Sequence, residues 1–119
     1  MLRTPGTANA KITFKSSPRR SATVLHGFNT TGANYNKIEG FNITHNVGQW
    51  LGGGIWIASD SLEIVDNYFY DIPGQAVAPS WGGKGSWDNI YVGYNRVYRS
   101  NKGIVASGRN WLVEHNAAA

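Results

Sequence analysis

Residues 61–69 read SLEIVDNYF and residues 89–97 read NIYVGYNRV. Laid one over the other at a spacing of 28 residues, Leu62 falls on Ile90, Ile64 on Val92, Asn67 on Asn95 and Phe69 on Val97. A third copy, NWLVEHN at 110–116, follows 21 residues further on with Trp111, Val113 and Asn116 in phase. An earlier and poorer copy is KIEGFNI at 37–43, where Ile38 and Ile43 keep the phase but Phe41 stands in the asparagine's place. Four related segments at such intervals mark a stacked array rather than a single alternating strand.

A second element recurs between them: GIWIAS at 54–59, QAVAPS at 75–80 and GIVASG at 103–108. Its apolar phase aligns Ile55, Ala76 and Ile104, then Ile57, Ala78 and Ala106. Neither element has helical spacing, and glycine-rich or polar turns separate them. Whole strand-turn-strand units thus repeat head to tail, so corresponding strands stack in parallel and each turn returns to the same edge. The expected fold is all-β, a single-stranded parallel β-helix of about four to five coils. It spans 1–119, with the clearest repeats over 34–116. Leu62, Ile64, Phe69, Ile90, Val92 and Val97 would point inward, Glu63 and Tyr91 outward. Asn67, Asn95 and Asn116 would sit at equivalent bends, where short amides bond to backbone or to each other.

EIVDNYF, YVGYNRV and LVEHN, together with GIWIAS and GIVASG, resemble the right-handed parallel β-helix family found in carbohydrate-active enzymes and related surface proteins, the pectate-lyase-like group. The resemblance reaches upstream into KITFKSS and ATVLHGF. It implies the right hand of the coil, in line with the chiral preference of parallel crossovers. It also implies a polysaccharide or oligosaccharide partner and an extracellular or periplasmic setting, although MLRTPGTANAKITF lacks the apolar segment of a secretory signal.

With no cysteine, disulfides and thiolate chemistry are excluded. No apolar run is long enough to span a membrane as a helix. The net charge of +4 modestly favours an anionic partner. Nucleic acid is a weak alternative, since zinc-finger spacing, a basic helix and an RNA-binding aromatic signature are all absent. KITF lies close to residue 1 and LVEHNAAA stops where a turn should lead onward. The chain therefore reads either as a stretch of a longer solenoid, with further coils as partners, or as a complete small one.

From Ile43 to Ile55 is 12 positions, whereas Phe69 to Ala76 and Val97 to Ile104 are each 7, which places an insertion at 49–53. A second insertion, WGGKGSW, occupies 81–87. Turns absorb insertions while strands hold register, so both should form loops on the scaffold. Trp50, Trp81 and Trp87 lie in these insertions and Trp56 on the outward phase of its strand. Their ring faces are expected either to stack on sugar, with Lys84 supplying a polar contact, or to pack the loops onto the coil. Trp111 follows the inward phase and reads as packing.

His45, Asp71 and Arg99 fall at equivalent places just after the repeated strand, about 4.8 Å apart from rung to rung. As a catalytic column, Asp71 would orient His45, and Arg99 or Lys84 would neutralise a uronate carboxylate during elimination. Hydrolysis would instead pair Asp71 with Asp66 or Asp88. The simpler expectation for the column is a surface ladder of polar contacts. Asp60 and Asp88 align at the turn into the repeated strand, where carboxylates accept turn N–H groups; calcium is the competing use, although the sequence requires no cofactor. Asp66 and His115 precede Asn67 and Asn116 on the outer phase, and His26 reads as a turn or packing residue. Nucleophile-elbow, phosphate-loop and nicotinamide fingerprints are missing. Two functional readings stand: a polysaccharide-degrading enzyme, lyase or glycoside hydrolase, and a noncatalytic glycan-binding or structural β-helix segment.

Overall fold

The computed structural model describes residues 5–25, 27–44, 53–80, 87–101 and 103–118. The first coil contains β1 (Ile12–Lys15), β2 (Thr23–Val24) and β3 (Phe28–Asn29). The second contains β4 (Asn36–Glu39), β5 (Asn42–Thr44) and β6 (Ile55–Ile57), and the third β7 (Leu62–Val65), β8 (Tyr68–Ile72) and β9 (Gln75–Pro79). Then come β10 (Ile90–Gly93), β11 (Arg96–Ser100) and β12 (Gly103–Ile104), and finally β13 (Trp111–Glu114) and β14 (Ala117–Ala118). They stack into three sheets, ordered β1-β4-β7-β10-β13, β2-β5-β8-β11-β14 and β3-β6-β9-β12. Each named strand pairs in parallel with its counterpart one coil away. This is the expected all-β solenoid, and KITF and ATV do supply an upstream coil.

Period-two alternation dictates the interior. Ile38, Ile64 and Val92 stack in register in the first sheet, and Ile43, Phe69 and Val97 in the second. These six, with Leu62 and Ile90, are buried to 5 % exposure or less. In the third sheet the register differs from the sequence expectation. Ile55 pairs with Val77, not Ala76, and Ile104 also faces Val77, with a register shift between Gly103 and Ile104. Ala76, Val77 and Ala78 are all buried, so three small apolar residues in a row conceal the phase that alternation would reveal. On the observed register Ile43 to Ile55 is 12 positions and Phe69 to Val77 is 8, so the second coil is longer by four residues against the third. Of the two expected loops, residues 49–52 and 81–86 lie outside the described residues.

The bends require a left-handed backbone. Tyr35, Ser61, Asn89 and Asn110 enter the first sheet with φ of 58–61°. Gly40, Asp66, Tyr94 and His115 leave it at φ of 79, 61, 57 and 55°. Only one of these eight is glycine, and a left-handed conformation costs other residues about 1–2 kcal/mol each. Something must therefore hold the bends in place.

The asparagine that follows three of the four exit bends, at Asp66, Tyr94 and His115, does so. Asn67 Oδ1 accepts from Phe41 N at 2.9 Å, Asn95 Oδ1 from Asn67 N at 2.8 Å, and Asn116 Oδ1 from Asn95 N at 2.9 Å. Each amide nitrogen also donates to the preceding rung's carbonyl: Asn67 to Ile38 at 3.1 Å, Asn95 to Ile64 at 2.9 Å, Asn116 to Val92 at 3.0 Å. Side-chain bonds from Asn67 to Asn95 and from Asn95 to Asn116 complete the chain. Asn67 and Asn95 are buried, so their amides substitute for water that the bend N–H groups cannot reach. Phe41 lacks the amide, but its N–H is still capped from the rung below. A second ladder crosses the entry bends: Asn34 Oδ1 accepts from Asp60 N, Asp60 Oδ1 from Asp88 N and Asp88 Oδ1 from Arg109 N, at 2.8–3.0 Å.

Asn95→Ala would leave the buried Asn67 N–H and Ile64 carbonyl without these partners. At about 1–3 kcal/mol per unsatisfied buried group, we expect unfolding free energy to fall by roughly 3 kcal/mol in a denaturant titration. A loss below about 1 kcal/mol would mean the ladder is incidental.

Candidate functional site

Of the expected catalytic column, His45 lies outside the described residues. Asp71 and Arg99 both adopt left-handed φ, 51 and 55°, and this resets the alternation so that Phe69 and Ile72 both face inward. Arg99 grips Asp71 with two prongs, Nε to Oδ1 at 2.5 Å and Nη2 to Oδ2 at 3.0 Å. The Arg99 pKa is raised, first by that hydrogen bond and then by the Asp71 charge. Both oxygens of the Asp71 carboxylate are thus committed to the Arg99 guanidinium. The other aspartates are engaged as well. Asp66 binds Arg19 and Arg20, and Asp60 and Asp88 accept turn N–H groups. Among the described residues, no group of three or more His, Cys, Asp or Glu side chains stands together where it could hold a metal.

Trp50, Trp81 and Lys84 lie outside the described residues. Trp56 sits half-buried on the outward phase of β6 between the buried Ile55 and Ile57, as alternation requires. Trp87 packs half-buried against the core; its Nε1 donates to the Ser80 carbonyl at 3.3 Å, and its own carbonyl accepts from Trp111 Nε1 at 2.6 Å. Trp111 is likewise packed on the core. Trp87 thus bridges Ser80 on one side and Trp111 on the other.

The outer face of the first sheet carries a feature that reading for insertions missed. A groove of about 380 Å³ crosses β7, β10 and β13, with Glu63, Tyr91 and Leu112 successive in register along it. Tyr35, Ser61, Asn89 and Asn110, the left-handed entry residues, line it too. Lys11 contributes from the first coil and pairs with Glu63 at 3.2 Å. On the same face Lys37 and Lys15 pair with Glu39 at 2.8 and 3.5 Å. The Lys37 hydrogen bond holds the Glu39 carboxyl below its usual pKa and raises that of Lys37.

Tyr91 takes an unusual pose here. An added Cβ on Gly93 would lie 2.3 Å from the Tyr91 Oη and 2.5 Å from Cζ, so the ring lies flat over the glycine. Laid down in this way, the phenol donates to Glu114 Oε1 at 3.2 Å. Desolvation, then the Glu114 hydrogen bond, push its pKa up. The signal was present in the sequence: Gly93 stands where the preceding copy has Val65, removing one side chain from an outward row. The groove thus combines an apolar ring and leucine surface with side-chain amides and the Lys11–Glu63 pair.

Three stacks of parallel strands, laddered amides at the bend and a groove across one outer sheet define a parallel β-helix repeat protein. Residues 3–117 match the family described as "Protein of unknown function (DUF1565)", and the chain belongs to that family. No curated protein and no solved structure matches the chain. Among the described residues no helix is long and apolar enough to cross a membrane.

Gly93→Ala should lift the Tyr91 ring and break its bond to Glu114. In an ultraviolet tyrosinate titration we expect one tyrosine to shift to lower pH, with the far-ultraviolet dichroism unchanged; an unaltered titration would contradict the flat pose.

Proposed function

We propose that the protein is a glycan-binding β-helix that holds a neutral sugar unit in the groove on the first sheet without cleaving it. The observation that carries this reading is Tyr91 held flat over Gly93 beside Leu112, with Asn89 and Asn110 at the rim. A pyranose presents an apolar ring face bordered by hydroxyls, and such a surface meets aromatic and amide groups well. The pairing of Lys11 with Glu63 leaves no excess charge at that point, which favours a neutral ring over a uronate. Binding is favoured over hydrolysis or elimination because the aspartates of the sequence are engaged with arginines or turn N–H groups. Paired carboxylates poised around a glycosidic bond would need at least one of them available for proton transfer.

A panel of neutral oligosaccharides, titrated by calorimetry with and without calcium, tests this. We expect saturable binding that Tyr91→Ala weakens about tenfold, or about 1.4 kcal/mol, while the fold is retained. No binding across the panel, or equal binding by the variant, would reject the groove. New reducing ends from neutral glycans, or unsaturated sugar ends from uronic polymers, would show that the protein cleaves.

A further inference from the structure

The sequence holds two Asn-x-Thr triplets, at 29–31 and 42–44, the pattern at which an asparagine amide can receive a sugar chain. The pattern treats them alike, and the structure does not. Asn29 ends β3 and pairs in register with Trp56, a residue on the outward phase of β6, so Asn29 faces outward too and is half-buried. The middle residue, Thr30, is fully buried; its Oγ1 donates to the Trp56 carbonyl at 2.9 Å and accepts from Ala58 N at 2.8 Å. With Thr30 anchored in this way, the triplet turns its first and third side chains outward, and Thr31 is exposed. There Asn29 Oδ1 accepts from Thr31 N at 3.0 Å and from Thr31 Oγ1 at 2.7 Å. A backbone N–H only donates, so the atom facing it is the amide oxygen, and Nδ2 lies on the other side. Among the described residues Asn29 Nδ2 has no hydrogen-bond partner, and it keeps contact with solvent. At 42–44 both polar side chains are already spent. Asn42 Nδ2 donates to the Arg20 carbonyl at 2.8 Å, and the buried Thr44 gives its hydroxyl to the Tyr70 carbonyl at 2.5 Å. A sugar on Asn42 Nδ2 would displace the bond to Arg20, where the backbone is left-handed at φ 60°.

We propose that Asn29 is an acceptor for N-linked glycosylation in the folded protein and that Asn42 is not. The reaction joins Asn29 Nδ2 to the anomeric carbon of an oligosaccharide carried on a polyprenyl pyrophosphate. An N–C bond forms and the C–O bond to the pyrophosphate breaks. The electron pair leaves with the polyprenyl pyrophosphate, and one amide proton passes to a base of the oligosaccharyltransferase. An amide nitrogen resists such a step because its lone pair is shared with the carbonyl. Two donors on Oδ1 draw charge onto the oxygen and loosen the Nδ2 protons, and the Thr31 hydroxyl is the donor that the pattern specifies. Position favours Asn29 as well. It lies on the third sheet, so a bulky, solvated glycan there leaves the groove across the first sheet open and the core undisturbed.

The test presents the folded 119-residue chain to a single-subunit oligosaccharyltransferase that accepts Asn-x-Thr, with a polyprenyl-pyrophosphate oligosaccharide as donor. A short Asn-x-Thr peptide confirms that the enzyme is active, and the products are read by intact mass and by glycopeptide mapping. We expect the mass of one glycan to be added, at Asn29. Asn29→Gln should abolish the gain, and Thr31→Ala should lose it although the amide is still present. Thr31→Ser, which keeps a hydroxyl, should retain it, with circular dichroism showing that each variant is folded. The pattern alone would predict transfer to both asparagines, so the contrast between them tests the geometry. No transfer to the folded wild type, transfer to Asn42 at a level matching Asn29, or an unchanged gain in Thr31→Ala would each overturn the assignment.

Discussion

The fold depends on how one sharp bend is satisfied. The second, third and fourth coils leave the first sheet through a left-handed residue and must at once place a backbone N–H, and the oxygen of the next coil's asparagine receives it. The same amide returns a hydrogen to the carbonyl behind, so one side chain satisfies a donor and an acceptor on the neighbouring rung. Such a chain of amides is worth more than its separate bonds, because each is oriented and polarised by the next. It also fixes coil-to-coil register at a point where apolar packing alone would allow sliding.

With the interior assigned to packing and the bends to side-chain ladders, chemistry is left to the outer faces of the sheets. The first and second sheets differ in how they treat charge. On the first sheet lysines and glutamates neutralise each other around a tyrosine laid flat by a missing Cβ. On the second, Arg19, Arg20 and Arg99 bind aspartates, and Arg20, Arg96 and Arg99 lie against tyrosine rings. A solenoid permits this division because outward residues change without disturbing the core behind them.

Much of the scaffold was legible in the sequence. Leu62, Ile64, Asn67 and Phe69 recur with the same spacing in the next coil because each occupies an environment that repeats, and the inward assignments and the asparagine bend follow from that. The third sheet was harder: Ala76, Val77 and Ala78 are all small and buried, so no polar residue marks the outward phase and the register slips by one. Asp71 and Arg99 stand on neighbouring rungs, but their mutual grip is a matter of rotamer and distance, which spacing does not encode. The groove escaped notice for a similar reason. Insertions draw attention to loops, whereas the informative change was a subtraction, Val65 giving way to Gly93, and its consequence appears only when the neighbouring Tyr91 ring is placed. Trp87 shows the converse, an aromatic in an insertion that packs inward against the core.

Residue-resolved amide hydrogen exchange is the most direct measure of the ladder. The N–H groups of Phe41, Asn67 and Asn95 donate to side-chain oxygens rather than to a strand, at bends where exchange would ordinarily be fast. We expect these three to exchange as slowly as the core amides of β7 and β10, by way of global unfolding. Exchange as fast as that of exposed loop amides would show that the asparagines decorate the bends without holding them.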